Sequence, residues 1–441
     1  MKKVIRKITP EKIINFYHFT KAHMCATKYG HPSRQMVVIG VTGTKGKTST
    51  CNFIHSVLNA AGRKAGVVTS ANIKIGLADQ INKFHMTMPS SCDLQQILKK
   101  MADVGCSFAI VEVTSEGIKQ SRHKGIDFDI VVFTNLTPEH LPSHGNSFDQ
   151  YKKEKFKLFS SLSSKEKFIN KKKVDKAIVV NADCDEANVL MSYRSDKKFS
   201  FSVDNESDFK AQNISAKDDK ISFKVNEASF SLNIPGKFNV YNALPAIVIG
   251  KMFGISEAQI EKGLASLRNI PGRMERIRPD LDFTVMVDYA HEKQSMSQVL
   301  KWAKEQAQES ARIILLLGAE GGGRDKAKRA QMGELAGEIA DYVVVTNVDP
   351  YEDDPLEIID DIAKAVEKKG KKKDKDLFLI EDRRKGIAKA LSLAKSADVV
   401  LITGKGAEQS MIIGGKKIAW DDRRIVREEI DKTFKKISSV K

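Results

Sequence analysis

No apolar run in this chain reaches the length of a bilayer span, and its N-terminus has no apolar signal-peptide core. The reading is therefore neither integral membrane nor secreted, and the expected location is the cytoplasm. Cysteine is scarce. Cys25, Cys51, Cys92, Cys106 and Cys184 are scattered without metal-site spacing, and they are expected to be reduced, mostly buried thiols. Aromatics make up only 7%, and no basic strand interleaved with them accompanies the formal net charge of +17. The excess lies in lysine clusters such as Lys171–Lys173 and Lys368–Lys375, which read as solvated helix ends and loops. With no DNA-reading motif beside them, no nucleic-acid partner is expected; an anionic small substrate or a lysine-rich proteome explains the charge as well. What is present is ordinary globular material: 441 residues, 41% hydrophobic and 29% charged, enough for two or three domains.

The chain is organised around Val37-Val38-Ile39-Gly40-Val41-Thr42-Gly43-Thr44-Lys45-Gly46-Lys47-Thr48-Ser49-Thr50. A buried strand leads into a glycine-punctuated turn, and a helix opens at about Lys47. Such a loop brings backbone N–H groups and a helix N-terminus to phosphate oxygens. Lys47 adds charge at the β/γ-phosphates, and the Thr48 hydroxyl suits Mg²⁺. Val41 stands where the common consensus has its first glycine, so this is a Gly-Thr-x-Gly-Lys-Thr variant.

Residues 1–35 read as a leader with a helix starting at Thr9-Pro10 and ending near Gly30. Its apolar residues Ile13, Ile14, Phe16, Tyr17, Phe19, Met24 and Tyr29 leave two readings. One is packing on the next domain; the other is peripheral membrane contact aided by Lys2, Lys3, Arg6 and Lys7. Residues 36–270 alternate strand and helix, with strands at Ala65–Thr69, Phe108–Val113, Ile130–Thr134 and Ala177–Val180. That alternation means a mainly parallel sheet with helices on both faces. Alternating residues over about 198–234 suggest a small antiparallel sheet appended to it. A second α/β domain, residues 271–441, carries strands at Phe283–Val287, Ile313–Leu317, Tyr342–Thr346, Leu377–Ile380 and Val399–Thr403.

In open α/β sheets, ligands bind beyond the carboxyl ends of strands. Glu112 stands at such an end, and a carboxylate beside a phosphate loop is a natural Mg²⁺ ligand. The next strand runs into Thr134-Asn135-Leu136-Thr137-Pro138-Glu139-His140, placing His140 on the same rim. Position alone leaves His140 either a ligand or a plain loop residue.

With these motifs the chain resembles the Mur ligase family, whose members form amide bonds with ATP, and within it the muramyl-tripeptide synthetases of peptidoglycan and cell-wall synthesis. Besides the phosphate loop, Glu112-Val113-Thr114-Ser115 and the Thr134–His140 segment, the resemblance rests on further motifs in family order. They are Asn181-Ala182-Asp183, Phe238-Asn239-Val240-Tyr241-Asn242, Pro271-Gly272-Arg273-Met274-Glu275-Arg276, Asp288-Tyr289-Ala290-His291, Gly404-Lys405-Gly406-Ala407-Glu408 and Asp421-Asp422-Arg423. The implied fold is α/β: a central P-loop ATPase domain with a mostly parallel sheet, followed by a Rossmann-like C-terminal domain.

The resemblance implies roles. Gly43, Thr44, Lys45, Gly46, Lys47, Thr48 and Ser49 would bind ATP with Asn239 and Asn242, while Arg273, Asp288 and His291 would reach phosphate and ribose on domain closure. Lys47, Glu112, His140 and Lys155 would be catalytic. Thr48, Glu112 and His140 would hold Mg²⁺, two ions in all. Lys155 matches a lysine carbamylated in many members; otherwise it is a plain lysine in a basic helix. Thr114, Ser115, Asp349, Tyr351, Gly404 and Glu408 would face the peptide precursor and the amino acid. A monomer is implied.

Three departures stand out. Only about 35 residues precede the first strand, so the usual uridine-nucleotide domain is expected to be missing, and a lipid-linked or shorter acceptor becomes an alternative. Diaminopimelate-adding members show Asp-Asn-Pro-Arg where this chain has Val348-Asp349-Pro350-Tyr351. Tyr351 makes no bidentate carboxylate pair, so lysine, ornithine or another amine is expected, with Asp349 and Glu352 as candidates for a distal ammonium. Finally, Glu292-Lys293 and Ala407 replace family residues at the binding rim. Relatives acting on poly-γ-glutamate, folylpolyglutamate, cyanophycin or archaeal wall peptide are the competing enzymatic reading. A non-ligating nucleotide switch is the non-enzymatic one.

Overall fold

The apolar run Val37–Thr42 (β1) is buried along its whole length, as a strand covered on both faces must be. The computed structural model of the protein describes residues 10–438 apart from 77, 85, 140, 164, 165, 218, 279 and 309. Two compact units divide the chain, Met1–Arg268 and Asn269–Lys441.

In the first unit β1 is followed by Ala65–Val68 (β2), Asn72–Ile75 (β3), Ala78–Ile81 (β4), Phe108–Glu112 (β5) and Ile130–Phe133 (β6). A small hairpin, Phe168–Ile169 (β7) and Lys172–Lys173 (β8), precedes Ala177–Asn181 (β9), Lys197–Ser202 (β10), Phe209–Lys217 (β11), Lys220–Val225 (β12) and Ala228–Leu232 (β13). Apart from β7 and β8 these strands make one 11-stranded sheet, ordered β13-β12-β11-β10-β9-β6-β1-β5-β2-β3-β4. Every neighbouring pair from β11 to β2 is parallel. The helix Lys47–Ala60 carries the chain from β1 to β2, with β5 filling the space between, while β6 and β9 extend the sheet on the other side of β1. The winding therefore reverses at β1, and the carboxyl ends of β1, β5 and β6 open a crevice there.

The antiparallel strands expected over about 198–234 are β11–β13, and they are appended to the domain as a continuation of its main sheet. β10 pairs β9 in parallel. The alternating burial of β12 reveals one solvated face. Alternation says nothing about which edge a strand joins.

The leader helix spans Glu11–Lys28 with Pro10 just before it rather than at its first position; Thr9 lies outside the described residues, as do Lys2, Lys3, Arg6 and Lys7. It packs on the helix Ser91–Asp103 through its small residues Ala22, Cys25 and Ala26. Ile13, Phe16, Tyr17, Phe19 and Met24 point outward, so packing does not account for the bulky apolar residues that made this helix conspicuous. Cys25 and Cys92, expected as thiols, form a disulfide between the two helices with Cα atoms 5.0 Å apart. Their sequence separation of 67 residues carries no local signal. Cys51, Cys106 and Cys184 are free.

The second unit contains Glu275–Ile277 (β14), Thr284–Asp288 (β15), Ile313–Leu317 (β16), Tyr342–Val345 (β17), Leu377–Leu379 (β18) and Val399–Thr403 (β19) in the order β14-β15-β19-β16-β17-β18. All pairs are parallel except β14 on β15. Val285, Val287, Ile314, Leu316, Val344, Val400 and Ile402 pack with Ile425, Val426 and Ile430 of the last helix. A hairpin, Ser410–Ile413 (β20) and Lys416–Ala419 (β21), projects after β19.

Candidate functional site

The loop after β1 turns on two glycines. Gly43 has φ +143° and Gly46 φ +80°, values L side chains rarely adopt. A Cβ at Gly43 would collide with Thr134, and one at Gly46 with the Asn242 amide. The helix begins at Lys47, so the N–H groups of its first turn face the crevice without intrahelical acceptors. The segment Thr134–Glu139 buttresses the loop. Asn135 accepts the Thr44 N–H on its carbonyl and the Lys45 N–H on Oδ1, both at 2.8 Å. The Thr134 hydroxyl donates to the Lys45 carbonyl at 2.6 Å, and Thr137 N–H donates to Thr44 Oγ1 at 3.0 Å. Lys45 pairs with buried Glu139 at 2.6 Å. Lys47 Nζ donates to the Thr44 carbonyl at 2.8 Å.

At the end of β5 the Glu112 carboxylate, buried, accepts the Thr48 hydroxyl at 2.9 Å and the Ser70 N–H at 2.8 Å. The Thr48 and Ser70 hydroxyls are 2.8 Å apart. One carboxylate and two hydroxyls so converge at the loop's helix, a hard-oxygen set of the kind Mg²⁺ takes. Ser70 was not anticipated; its only signal is its place just after β2. His140 lies outside the described residues. Thr114 caps the short helix Ser115–Lys119 by accepting the Gly117 N–H, and Ser115 is buried.

Lys155, on the helix Phe148–Ser160, is buried and donates to the Gly43 carbonyl at 2.6 Å. Burial, reinforced by the Lys47 charge, holds its ammonium well below the usual lysine range, against the opposing pull of Glu139 and Glu112. Between that depressed value and the ordinary one the unfolded chain binds the extra proton, so stability rises with pH across that window and is lost as pH falls from the ordinary value to the folded one. Lys155→Met is expected to flatten this rise relative to wild type in urea midpoints measured across neutral to alkaline pH. Parallel curves would show that Lys155 stays protonated.

Asn239 and Asn242 open the helix Asn239–Met252. Asn239 Nδ2 donates to the Pro235 carbonyl at 2.7 Å, and its Oδ1 accepts from Asn242 Nδ2 at 2.8 Å. That chain of amides holds Asn242 against Gly46.

In the second unit a polar cluster sits at the carboxyl ends of β15, β16 and β19. Asp288 accepts the Met274 and Ala290 N–H groups, each at 2.7 Å. The Arg273 guanidinium lies 4.3 Å from the Tyr289 ring centroid. His291 Nδ1 is 2.6 Å from the Tyr289 carbonyl. The Tyr289 hydroxyl donates to Glu408 at 3.2 Å, and Lys405 links Glu408 to Asp349. Asp349 is 1% exposed, with Oδ1 on the Ile412 N–H at 2.7 Å and Oδ2 on Lys405 at 2.8 Å. Both oxygens of Asp349, a candidate for a distal ammonium, are thus engaged by its own chain. Gly404 holds a left-handed φ of +109°. Tyr351, φ +57°, packs on Gly322, and its hydroxyl meets Arg324. Burial opposes ionisation of Glu320, but Lys328, Arg324, His291 and Lys405 bring its carboxyl down to about 2.

Two known domain families match the chain: the Mur ligase middle domain over residues 41–250, and the glutamate ligase domain of Mur ligases over 272–406. A UDP-N-acetylmuramyl-tripeptide synthetase of Roseiflexus sp. (strain RS-1) is 35% identical over 420 residues, 93% of this chain and 81% of that protein. A UDP-N-acetylmuramoyl-L-alanyl-D-glutamate--2,6-diaminopimelate ligase of Caldanaerobacter subterraneus subsp. tengcongensis is 35% identical over 411 residues, 92% and 80% of the respective chains. A solved structure of a ligase with that same name superposes with a TM-score of 0.59 at 28% identity, covering 90% of this chain and 78% of the other.

Proposed function

The chain belongs to the Mur ligase family and is an ATP-dependent ligase that forms carbon–nitrogen bonds; from that premise we propose that it adds an amino acid to a carboxylate of a muramyl-dipeptide-type peptidoglycan precursor. The observation that carries this reading is the convergence of Thr48, Ser70 and Glu112 beside the phosphate loop, where the sheet winding reverses. In it, Gly43–Ser49 cradle the phosphates of ATP, backed by Asn239 and Asn242, and Lys47 offsets charge on the transferring phosphoryl. The substrate carboxylate attacks the γ-phosphorus, ADP leaves, and the amine then attacks the acyl carbon of the acyl phosphate as phosphate leaves and the amine loses a proton. Mg²⁺, when bound, neutralises phosphate charge, and Thr48 and Glu112 would hold it with His140, which the sequence places on the same rim. Two ions and carbamylation of Lys155 are part of the proposal; the low basicity of buried Lys155 favours the neutral amine that reacts with CO₂. Arg273, Asp288 and His291 are assigned to the nucleotide, and Thr114, Ser115, Gly404 and Glu408 to the acid and amine.

For the amine we propose lysine, ornithine or another amino acid without a distal carboxylate. Tyr351 offers a single hydroxyl, itself engaged by Arg324, where two parallel donors would be needed. The chain is read as a cytoplasmic monomer. A lipid-linked acceptor is the second reading, favoured by the outward apolar residues of the leader helix. Phosphate release with ATP and Mg²⁺, with and without bicarbonate, is measured against a uridine-linked muramyl dipeptide and a panel of lysine, ornithine and diaminopimelate, with the product identified by mass. Release is expected to need the acid and one amine together. Turnover that ignores every amine would reject ligation on this acceptor, and diaminopimelate as the preferred amine would reject the role given to Tyr351.

A further inference from the structure

The leader helix Glu11–Lys28 divides cleanly into two faces. Ala22, Cys25 and Ala26 lie against the helix Ser91–Asp103, and the disulfide from Cys25 to Cys92 fastens the two. The opposite face is apolar and open: Ile13 is 58% exposed, Phe16 70%, Tyr17 59% and Met24 67%. At one residue per 100° these four, with Thr20 and Thr27, fall within an arc of about 100°. Thr20 turns its hydroxyl to the Phe16 carbonyl at 2.8 Å, which leaves its methyl in the stripe. Lysines border the stripe on both sides by the same spacing, Lys12 on one and Lys21 and Lys28 on the other; Lys21 Nζ lies 5.9 Å from the Tyr17 ring centroid. Glu11 is the helix's one acid, and the nine residues before Pro10 hold Lys2, Lys3, Arg6 and Lys7 with no acid.

We propose that this face docks the enzyme on an anionic lipid surface, with the stripe at the headgroup boundary and the flanking lysines on lipid phosphates. An apolar band edged by cations with aliphatic stems is the chemistry of an interfacial helix. A second copy of the chain would set cation against cation across the same stripe, and the segment before the helix is itself basic, so neither complements it. The small-residue face keeps its packing, so docking costs the fold no core contact. The helix does not cross the membrane: no helix among the described residues is long and apolar enough. The proposal holds for a soluble or a lipid-linked acceptor alike.

The test is cosedimentation of the full chain with phosphatidylcholine vesicles, with and without phosphatidylglycerol. Wild type is expected to pellet with the anionic vesicles only, and to be released by salt. Phe16→Ser with Met24→Ser, and separately Lys21→Glu with Lys28→Glu, should each weaken binding by about tenfold or more. Circular dichroism and the ligation rate in vesicle-free buffer should stay at wild-type values. Wild type that remains in the supernatant at every lipid composition overturns the proposal. So does equal binding to neutral vesicles, or a solution dimer that the Phe16→Ser, Met24→Ser variant dissociates.

Discussion

Lys47→Ala is expected to lower amine-dependent phosphate release by about 10²–10³-fold or more while leaving the protein folded. Phosphoryl transfer asks the protein for position and charge. Lys47 stands at the first residue of its helix, half-exposed, with its ammonium held 2.8 Å from the Thr44 carbonyl at the mouth of the loop. Alanine is the strongest helix former and opens no cavity there, so thermal unfolding should shift little. Lys47→Arg keeps the charge on a larger, planar head and should recover only part of the rate. The measurement is steady-state phosphate release beside a melting curve. Wild-type turnover in Lys47→Ala would remove the loop from the chemistry, whereas a collapsed melting curve would make the loss one of folding.

Asp422→Ala is expected to destabilise the second unit by about 3–5 kcal/mol. Arg383 and Asp422 are both fully buried and joined by two parallel bonds, Nε to Oδ1 at 2.8 Å and Nη2 to Oδ2 at 2.7 Å. The remaining guanidinium donors reach the Asn347 carbonyl at 3.0 Å and the Thr403 carbonyl at 2.8 Å, and Trp420 Nε1 donates to Asp422 Oδ1 at 2.8 Å. Removing the carboxylate strands a buried cation, the costly half of breaking such a pair. Replacing both partners, as in Arg383→Met with Asp422→Leu, should cost much less than the single change. Both tryptophans, Trp302 and Trp420, lie in the second unit, so fluorescence-detected urea unfolding reports on it directly. A shift under about 1 kcal/mol in Asp422→Ala would show that water or a rearranged side chain satisfies Arg383.

That pair shows the limit of motif reading. Asp421-Asp422-Arg423 supports family membership, yet Asp422 holds the unit together, and Arg423 is bound to Asp421 at 2.7 Å. Asp349 reads as a candidate for a substrate ammonium, and nothing in the sequence places Lys405 beside it. The contact joins residues 56 apart in the chain. The cystine likewise joins residues that no spacing rule connects.

What the sequence determined by itself were the features with a local cause. The phosphate loop, the strand–helix alternation and the carboxyl-end position of Glu112 follow from residues near one another in the chain, whose burial period and glycine requirements act over one or two turns. Only the tertiary structure decided which side chains meet. Ser70 joins Thr48 and Glu112 because β5 lies between β1 and β2 in the sheet. The strands β11–β13 extend the main sheet because β10 found β9. The leader helix turns its bulky residues outward because alanines and a cysteine approach the neighbouring helix more closely than phenylalanine could. Pairings of that kind are settled by packing across long stretches of chain, where composition and period carry no address.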